Sequence, residues 1–107
     1  MHMETREFNK LVRDRIPEII ASNGETAITK VLTREQFKTS INKKLVEEVQ
    51  EFLSSGSVEE LVDIFQVILA ILEEQGIPFE EFDAMRKQKA FANGEFKKKV
   101  FLIRVEK

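Results

Sequence analysis

Two pairs of acidic residues lie at helical spacing on either side of a short break in the chain. Glu48 and Glu51 are three residues apart in one predicted helix, and Glu60 and Asp63 have the same spacing in the next. Residues three apart share a helix face, and a short turn makes consecutive helices antiparallel neighbours. The four carboxylates are therefore expected to converge. Such a cluster repels itself unless it holds a cation, and carboxylate oxygens suit Mg²⁺ or Mn²⁺.

Asp63 carries the strongest signal because it lies in the most hydrophobic segment, which has no Lys or Arg between residues 58 and 75. Single acids have simpler interpretations. Glu60 fits the third position of a capping box opened by Ser57, and Asp63 fits a narrow solvent-facing stripe with Gln66. The joint pattern of four acids is more specific than any one of them, and it favours a metal site.

Four helices are predicted to position these acids. The first has Pro17 in its first turn, and the others run over about 34–53, 58–75 and 79–92. Thr33 and Gln36 form a capping box at the start of the second helix. The apolar residues of that helix recur with a period near 3.6. They are Phe37, Ile41, Leu45, Val49 and Phe52.

Two segments are predicted to be strands because they are rich in β-branched and aromatic residues. They are Thr26–Leu32 (TAITKVL) and Lys99–Val105 (KVFLIRV), and each is the other's best pairing partner. The predicted fold is mainly α: a four-helix bundle with a small two-stranded sheet. Its 107 residues suit a single domain over positions 1–107.

The third helix is apolar around nearly its whole circumference between Leu61 and Leu72. A helix of this kind must be buried on all sides, and three other helices of a small domain cannot cover it completely. We therefore predict a homodimer, or a larger assembly that contains it, with this helix near the interface.

The overall composition narrows the class of protein. The net charge of −2 disfavours a nucleic-acid or anionic-membrane binder, and the absence of cysteine excludes disulfides and thiolate metal sites. The apolar run Ile64–Leu72 is too short to span a bilayer, and the opening MHMETREFNKLVRD lacks the apolar core of a signal peptide. The expectation is a cytoplasmic protein without a membrane partner. His2 is not expected to be catalytic.

The acid pattern resembles a known family. Glu47-Glu48-Val49-Gln50-Glu51 followed by Glu60-Leu61-Val62-Asp63 is similar to the E-E-x-x-E and E-x-x-D metal motif of the all-α nucleoside triphosphate pyrophosphohydrolases. These are the MazG-like proteins, related to phosphoribosyl-ATP pyrophosphohydrolase and the dimeric dUTPases. The segments 9–20 (NKLVRDRIPEII) and 89–101 resemble the two ends of a phosphoribosyl-ATP pyrophosphohydrolase-like subgroup.

The resemblance implies Mg²⁺-dependent hydrolysis of a nucleoside triphosphate, standard or non-standard, to a monophosphate and pyrophosphate. It assigns the metal to Glu48, Glu51, Glu60 and Asp63. Glu48 would also act in catalysis with Glu47, which would support the site or orient water, although Glu47 taken alone fits a solvent-facing acid. Lys10, Arg13 and Lys89 match motif positions and would bind substrate phosphate, although surface cations of this kind are more often only solvated.

Two positions depart from the subgroup. Asn93 replaces its usual Arg, and Glu95 replaces a Gly. If the subgroup's Arg contacts a phosphate, this chain has lost that contact or supplies it from elsewhere. Two alternatives therefore stay open: phosphoribosyl-ATP pyrophosphohydrolase of histidine biosynthesis, and a non-catalytic nucleotide-binding or dimerisation module of the same fold.

Overall fold

A computed structural model describes residues 4–107, so His2 lies outside the described residues. This part of the chain contains four helices, which confirms the predicted mainly α class. The helices end within about two residues of the predicted positions. They are α1 (Ile16–Ser22), α2 (Arg34–Ser55), α3 (Val58–Glu74) and α4 (Phe79–Asn93).

The start of α2 is fixed by the predicted capping box. The Thr33 hydroxyl accepts from the Gln36 backbone N–H at 3.2 Å, and Gln36 Oε1 accepts from the Thr33 N–H at 3.0 Å. Two of the backbone donors at this helix end are therefore satisfied. Replacing a capping threonine with alanine typically costs about 1 kcal/mol, so Thr33 helps to define where the long helix begins.

A two-residue connection turns α2 back into α3. Gly56 ends α2 with φ 67°, a left-handed conformation that glycine adopts without steric cost, and Ser57 precedes α3. At the other end of the hairpin, Arg34 Nε lies 3.2 Å from Glu74 Oε1. The start of α2 is thus beside the end of α3, which confirms the antiparallel arrangement.

The core of the chain lies between α2 and α3. Its most buried hydrophobic residues are Ile41, Val67 and Leu72. Ile41 belongs to the predicted apolar stripe of α2, which packs against α3. The opposite side of α3 is only half covered, although an edge-to-face contact of 6.0 Å between ring centroids joins Phe65 to Phe79 at the start of α4.

The predicted two-stranded sheet is wrong for the described chain, in which residues 4–107 contain no strand. Ile28 and Val31 of the first segment are almost fully exposed, and the second begins at Lys99 with φ 56°, which is not an extended conformation. Residue composition favoured strands, but a strand needs a hydrogen-bonded neighbour, and an isolated two-stranded ribbon is only marginally stable.

The chain is extended for its size. It measures 73 × 31 × 24 Å with a radius of gyration of 19.2 Å, whereas a compact domain of about 100 residues has a radius near 13 Å. The segment after α4 adds to this length and exposes most of its apolar side chains. They are Phe96, Val100, Phe101, Leu102, Ile103 and Val105.

Candidate metal centre

Glu48 lies on α2 and is the one charged residue buried among those that the structure describes, with 6% of its surface exposed. Its two carboxylate oxygens have different surroundings. Oε1 lies 3.4 Å from the Nζ of Lys44, whereas Oε2 is buried without a hydrogen-bond partner. A buried carboxylate oxygen without a partner is costly, so this atom needs an explanation.

Glu60 and Asp63 occupy the first two turns of α3 and face Glu48 across the hairpin. One carboxylate oxygen from each of the three residues lies within 4.8 Å of the other two. Glu60 Oε2 is also buried and has no hydrogen-bond partner. The predicted convergence of acids from the two helices is therefore confirmed for Glu48, Glu60 and Asp63.

The capping interpretation of Glu60 is wrong. Ser57 precedes α3 in an extended conformation, but its side chain makes no capping hydrogen bond. Because the Glu60 carboxylate is directed toward Glu48 and Asp63, its position reflects the acid cluster rather than a capping box.

The surroundings of Glu48 shift its acidity. Its pKa is raised above the ordinary value of 4.5, mainly because burial disfavours the charged form. The hydrogen bond from Lys44 opposes this shift, and the negative charges of Glu51 and Asp63 add to it. Glu48 is thus held in a site where an added positive charge would be favourable.

The other two predicted acids have different positions. Glu51 is exposed and lies outside the group of three, although its charge is close enough to raise the pKa of Glu48. Glu47 is half-buried, and its Oε1 lies 3.4 Å from Lys44 Nζ and 3.5 Å from Lys10 Nζ. Glu47 therefore faces cations beside the cluster, while 31% of its side chain remains exposed to solvent.

The N-terminal segment supplies two cations to the cluster. Arg13 Nη2 lies 2.5 Å from Asp63 Oδ1, and Lys10 contacts Glu47. Asp63 therefore does have a counter-ion, supplied from far away in sequence and not from its own helix. The side chain of Asp63 is nevertheless 39% exposed, so it still partly faces solvent.

Lys89 is an exposed residue of α4, and no ion pair joins it to the acids within the described chain. Other cations of α4 have local partners. Arg86 and Lys87 both contact Asp83, and the hydrogen bond from Arg86 is the main reason that the pKa of Asp83 is lowered. Of the three predicted phosphate ligands, the structure brings Lys10 and Arg13 to the acids.

Lys44 is a site residue that was not predicted from the sequence. It contacts Glu47 and Glu48, which follow it by three and four residues in α2. This spacing is the signal that would have identified it, since such residues are neighbours on a helix surface. Beside it, a cleft of about 200 Å³ lies between the N-terminal segment and α2, and its lining includes Lys10, Lys43, Lys44 and Glu47.

The three-acid group fits a hard divalent cation. Carboxylate oxygens are the usual ligands of Mg²⁺, which binds them at about 2.1 Å, so opposite ligands lie about 4.2 Å apart. Oxygens within 4.8 Å of one another are near enough to converge on one ion if their side chains move inward, because adjacent ligands of such an ion lie about 3 Å apart. The two unpaired oxygens of Glu48 and Glu60 would gain the partner that they lack.

Comparison with protein families identifies the family of the chain. The sequence model of the family described as "phosphoribosyl-ATP pyrophosphohydrolase" matches residues 5–89. The chain belongs to this family. The phosphoribosyl-ATP pyrophosphohydrolase family is part of the MazG-like all-α superfamily, so the resemblance found in the sequence is confirmed. All the predicted site residues lie inside the match, while Asn93 and Glu95 lie beyond it.

An uncharacterized protein of Mycolicibacterium smegmatis is 43% identical to the chain over 48 residues, which are 45% of this chain and 49% of that protein. The chain therefore spans about half the length of this relative. No solved structure matches the present chain. Within residues 4–107, none of the helices is both long and apolar enough to cross a membrane.

Proposed function

We propose that this member of the phosphoribosyl-ATP pyrophosphohydrolase family hydrolyses a nucleoside triphosphate between its α and β phosphates, in a reaction that depends on Mg²⁺ or Mn²⁺. The observation that carries the proposal is the meeting of Glu48, Glu60 and Asp63, with two buried carboxylate oxygens that lack partners. The family supports it, since its members are pyrophosphohydrolases that usually use Mg²⁺.

The residues of the cluster have separate roles in this reaction. Glu48, Glu60 and Asp63 hold the ion, and Glu51 completes the set from its exposed edge. When bound, the ion neutralises phosphate charge and activates water. Glu47 lies beside the cluster between Lys10 and Lys44, where it orients the attacking water.

The N-terminal cations bind the phosphates. Lys10 and Arg13 already contact acids of the site, so each lies close to where a phosphate chain held by the cation would lie. Phosphoryl transfer depends on positioning and charge stabilisation and needs no nucleophilic side chain, which agrees with a chain that lacks cysteine. Lys89 remains a proposed phosphate ligand from α4.

The experiment that tests this function is pyrophosphate release from standard, deoxy and modified nucleoside triphosphates, with and without Mg²⁺. The panel includes phosphoribosyl-ATP, because the family name makes that substrate the second candidate. Metal-dependent release supports the proposal, and the preferred substrate separates the two enzymes. A folded protein that binds Mn²⁺ but releases nothing supports the non-catalytic module instead.

We also propose that the chain, as one domain over residues 1–107, works as a homodimer in the cytoplasm. Its accessible surface is 10280 Å² for a mass of 12.4 kDa, whereas a compact monomer of that mass exposes about 6,100 Å². The difference exceeds the roughly 800 Å² that each partner buries in a standard interface. The exposed apolar side chains on α3 and in the segment after α4 would form the proposed interface.

A further inference from the structure

Lys44 is held more tightly against the acid cluster than a surface lysine would be. Its side chain is 16% exposed, whereas the other lysines in ion pairs, Lys10, Lys38, Lys87 and Lys97, are at least 42% exposed. Burying a lysine this deeply is costly unless its charge has partners. Lys44 has two partners at the same 3.4 Å distance, Glu47 and Glu48.

Lys44 contacts one carboxylate oxygen of each of its two partners. It faces Oε1 of Glu47 and Oε1 of Glu48, and it leaves Oε2 of Glu48 without a hydrogen bond. That free oxygen belongs to the residue that meets Glu60 and Asp63. One side of Glu48 is therefore held by the lysine while the other side is left for a ligand.

We propose that Lys44 is a positioning residue, an inference that rests on the proposed function. In the metal-free protein, its positive charge offsets part of the negative charge of the acid cluster. Its contacts also orient Glu47 and Glu48 for the reaction. It has two opposite consequences. The positive charge of Lys44 repels an incoming divalent cation and stabilises the empty site, so it weakens metal binding. Its hydrogen bond to Glu47 holds that carboxylate in place, so it raises turnover.

The test is the substitution Lys44→Met, which keeps the length of the side chain and removes its charge. We expect Mn²⁺, measured by electron paramagnetic resonance on the metal-free protein, to bind about tenfold more tightly because a nearby repulsive charge is gone. We expect kcat at saturating Mn²⁺ to fall about tenfold or more because Glu47 is less well oriented. A merely structural lysine would produce weaker metal binding together with lower activity.

Two further variants control for the charge. Lys44→Arg keeps the positive charge, and its Mn²⁺ affinity is expected within about threefold of the original protein. Lys87→Met removes a lysine that contacts Asp83 on α4 with the same four-residue spacing, away from the cluster, and is expected to change neither quantity. If Lys44→Met does not fold, Lys44→Gln is expected to show the same opposite changes.

The outcomes separate this inference from the proposed function. Unchanged or weaker Mn²⁺ binding in Lys44→Met, while Glu60→Gln abolishes binding, overturns the role of Lys44 and leaves the metal centre intact. No measurable Mn²⁺ binding to the original protein overturns the metal centre itself. Tighter binding with slower turnover in Lys44→Met, restored by Lys44→Arg, supports the inference.

Discussion

Arg13 and Asp63 form an ion pair between positions fifty residues apart, with Nη2 and Oδ1 separated by 2.5 Å. The pair ties the segment before α1 to the second turn of α3, at the edge of the three-acid group. Both side chains are partly exposed, and pairs of this kind contribute at most about 1 kcal/mol to stability. Its importance therefore lies in placing a guanidinium beside the site, where it can also contact phosphate.

The first prediction concerns this guanidinium. Arg13→Gln is expected to raise KM for the nucleotide about tenfold or more, since a charged hydrogen bond to phosphate is lost, while lowering the melting temperature little. Arg15→Gln is the matched control, because within the described chain Arg15 forms its ion pair with the neighbouring Glu18 and not with the acid cluster. Steady-state kinetics on both variants give the answer, and equal KM values would exclude Arg13 from phosphate binding.

The second prediction concerns the acid that Arg13 contacts. Asp63→Asn is expected to fold normally but to lose Mg²⁺-dependent turnover by about 100-fold or more, because the neutral amide is a poor ligand for a hard cation. Asp83→Asn, on α4, provides the same chemical change away from the cluster. Full activity in Asp63→Asn would show that the metal site has been wrongly assigned.

The third prediction distinguishes Glu60 from Glu51, which were both predicted to be metal ligands. Glu60 contributes a buried, unpaired oxygen to the group of three, whereas Glu51 is exposed and outside it. Titration of the metal-free protein with Mn²⁺ should therefore show a greater loss of affinity in Glu60→Gln than in Glu51→Gln. The reverse order would mean that Glu51 moves inward to be a main ligand.

The fourth prediction follows from the raised pKa of Glu48. The folded metal-free protein holds this proton at pH values where the unfolded chain has released it. Its contribution to the free energy of unfolding is therefore greatest in acid and falls as pH rises from about 4.5 through the raised pKa. Mg²⁺ binds the charged form, so its stabilising effect should grow over the same range.

Thermal unfolding with EDTA or with Mg²⁺ across this pH range measures both trends. Glu48→Gln is the reference, since it has no proton to release at this position and should lack this part of the pH dependence. Identical pH profiles for the two proteins would show that Glu48 does not titrate in this range.

The fifth prediction concerns association. Val62→Asp on α3 and Ile103→Asp in the segment after α4 each place a charge in an exposed apolar surface that a partner is proposed to cover. Both are expected to shift the sedimenting species from twice 12.4 kDa toward a single chain. Lys98→Asp introduces the same side chain at a polar position and should leave the dimer intact. A monomeric original protein would contradict the proposal.

The helices and much of the candidate metal centre were predictable because their signals are local. The capping box at Thr33 fixes one helix start, Gly56 fixes the next turn, and the spacing of Glu60 and Asp63 then determines which acids meet. These features depend on neighbours within a few residues, so the sequence contains them directly.

Most of the errors concern contacts that are not local, although the capping box predicted for Ser57 and Glu60 is a local one. Residue types in 26–32 and 99–105 favour strands, but no neighbouring strand is present within the described chain. Arg13 could not be recognised as the counter-ion of Asp63, because nothing near either residue records that the N-terminal segment lies against α3. Lys44 is different, because its spacing to Glu47 and Glu48 is a local signal that the sequence does contain.

The exposed segment after α4 has a consequence for newly made protein. Val100–Ile103 is an uninterrupted apolar run, the kind of sequence that promotes aggregation when it is left uncovered. Charged residues enclose it, with Lys97–Lys99 before it and Arg104 after it. Charges in these positions act as gatekeepers that oppose the stacking of chains. These basic residues would therefore oppose aggregation of a single copy before the proposed dimer forms.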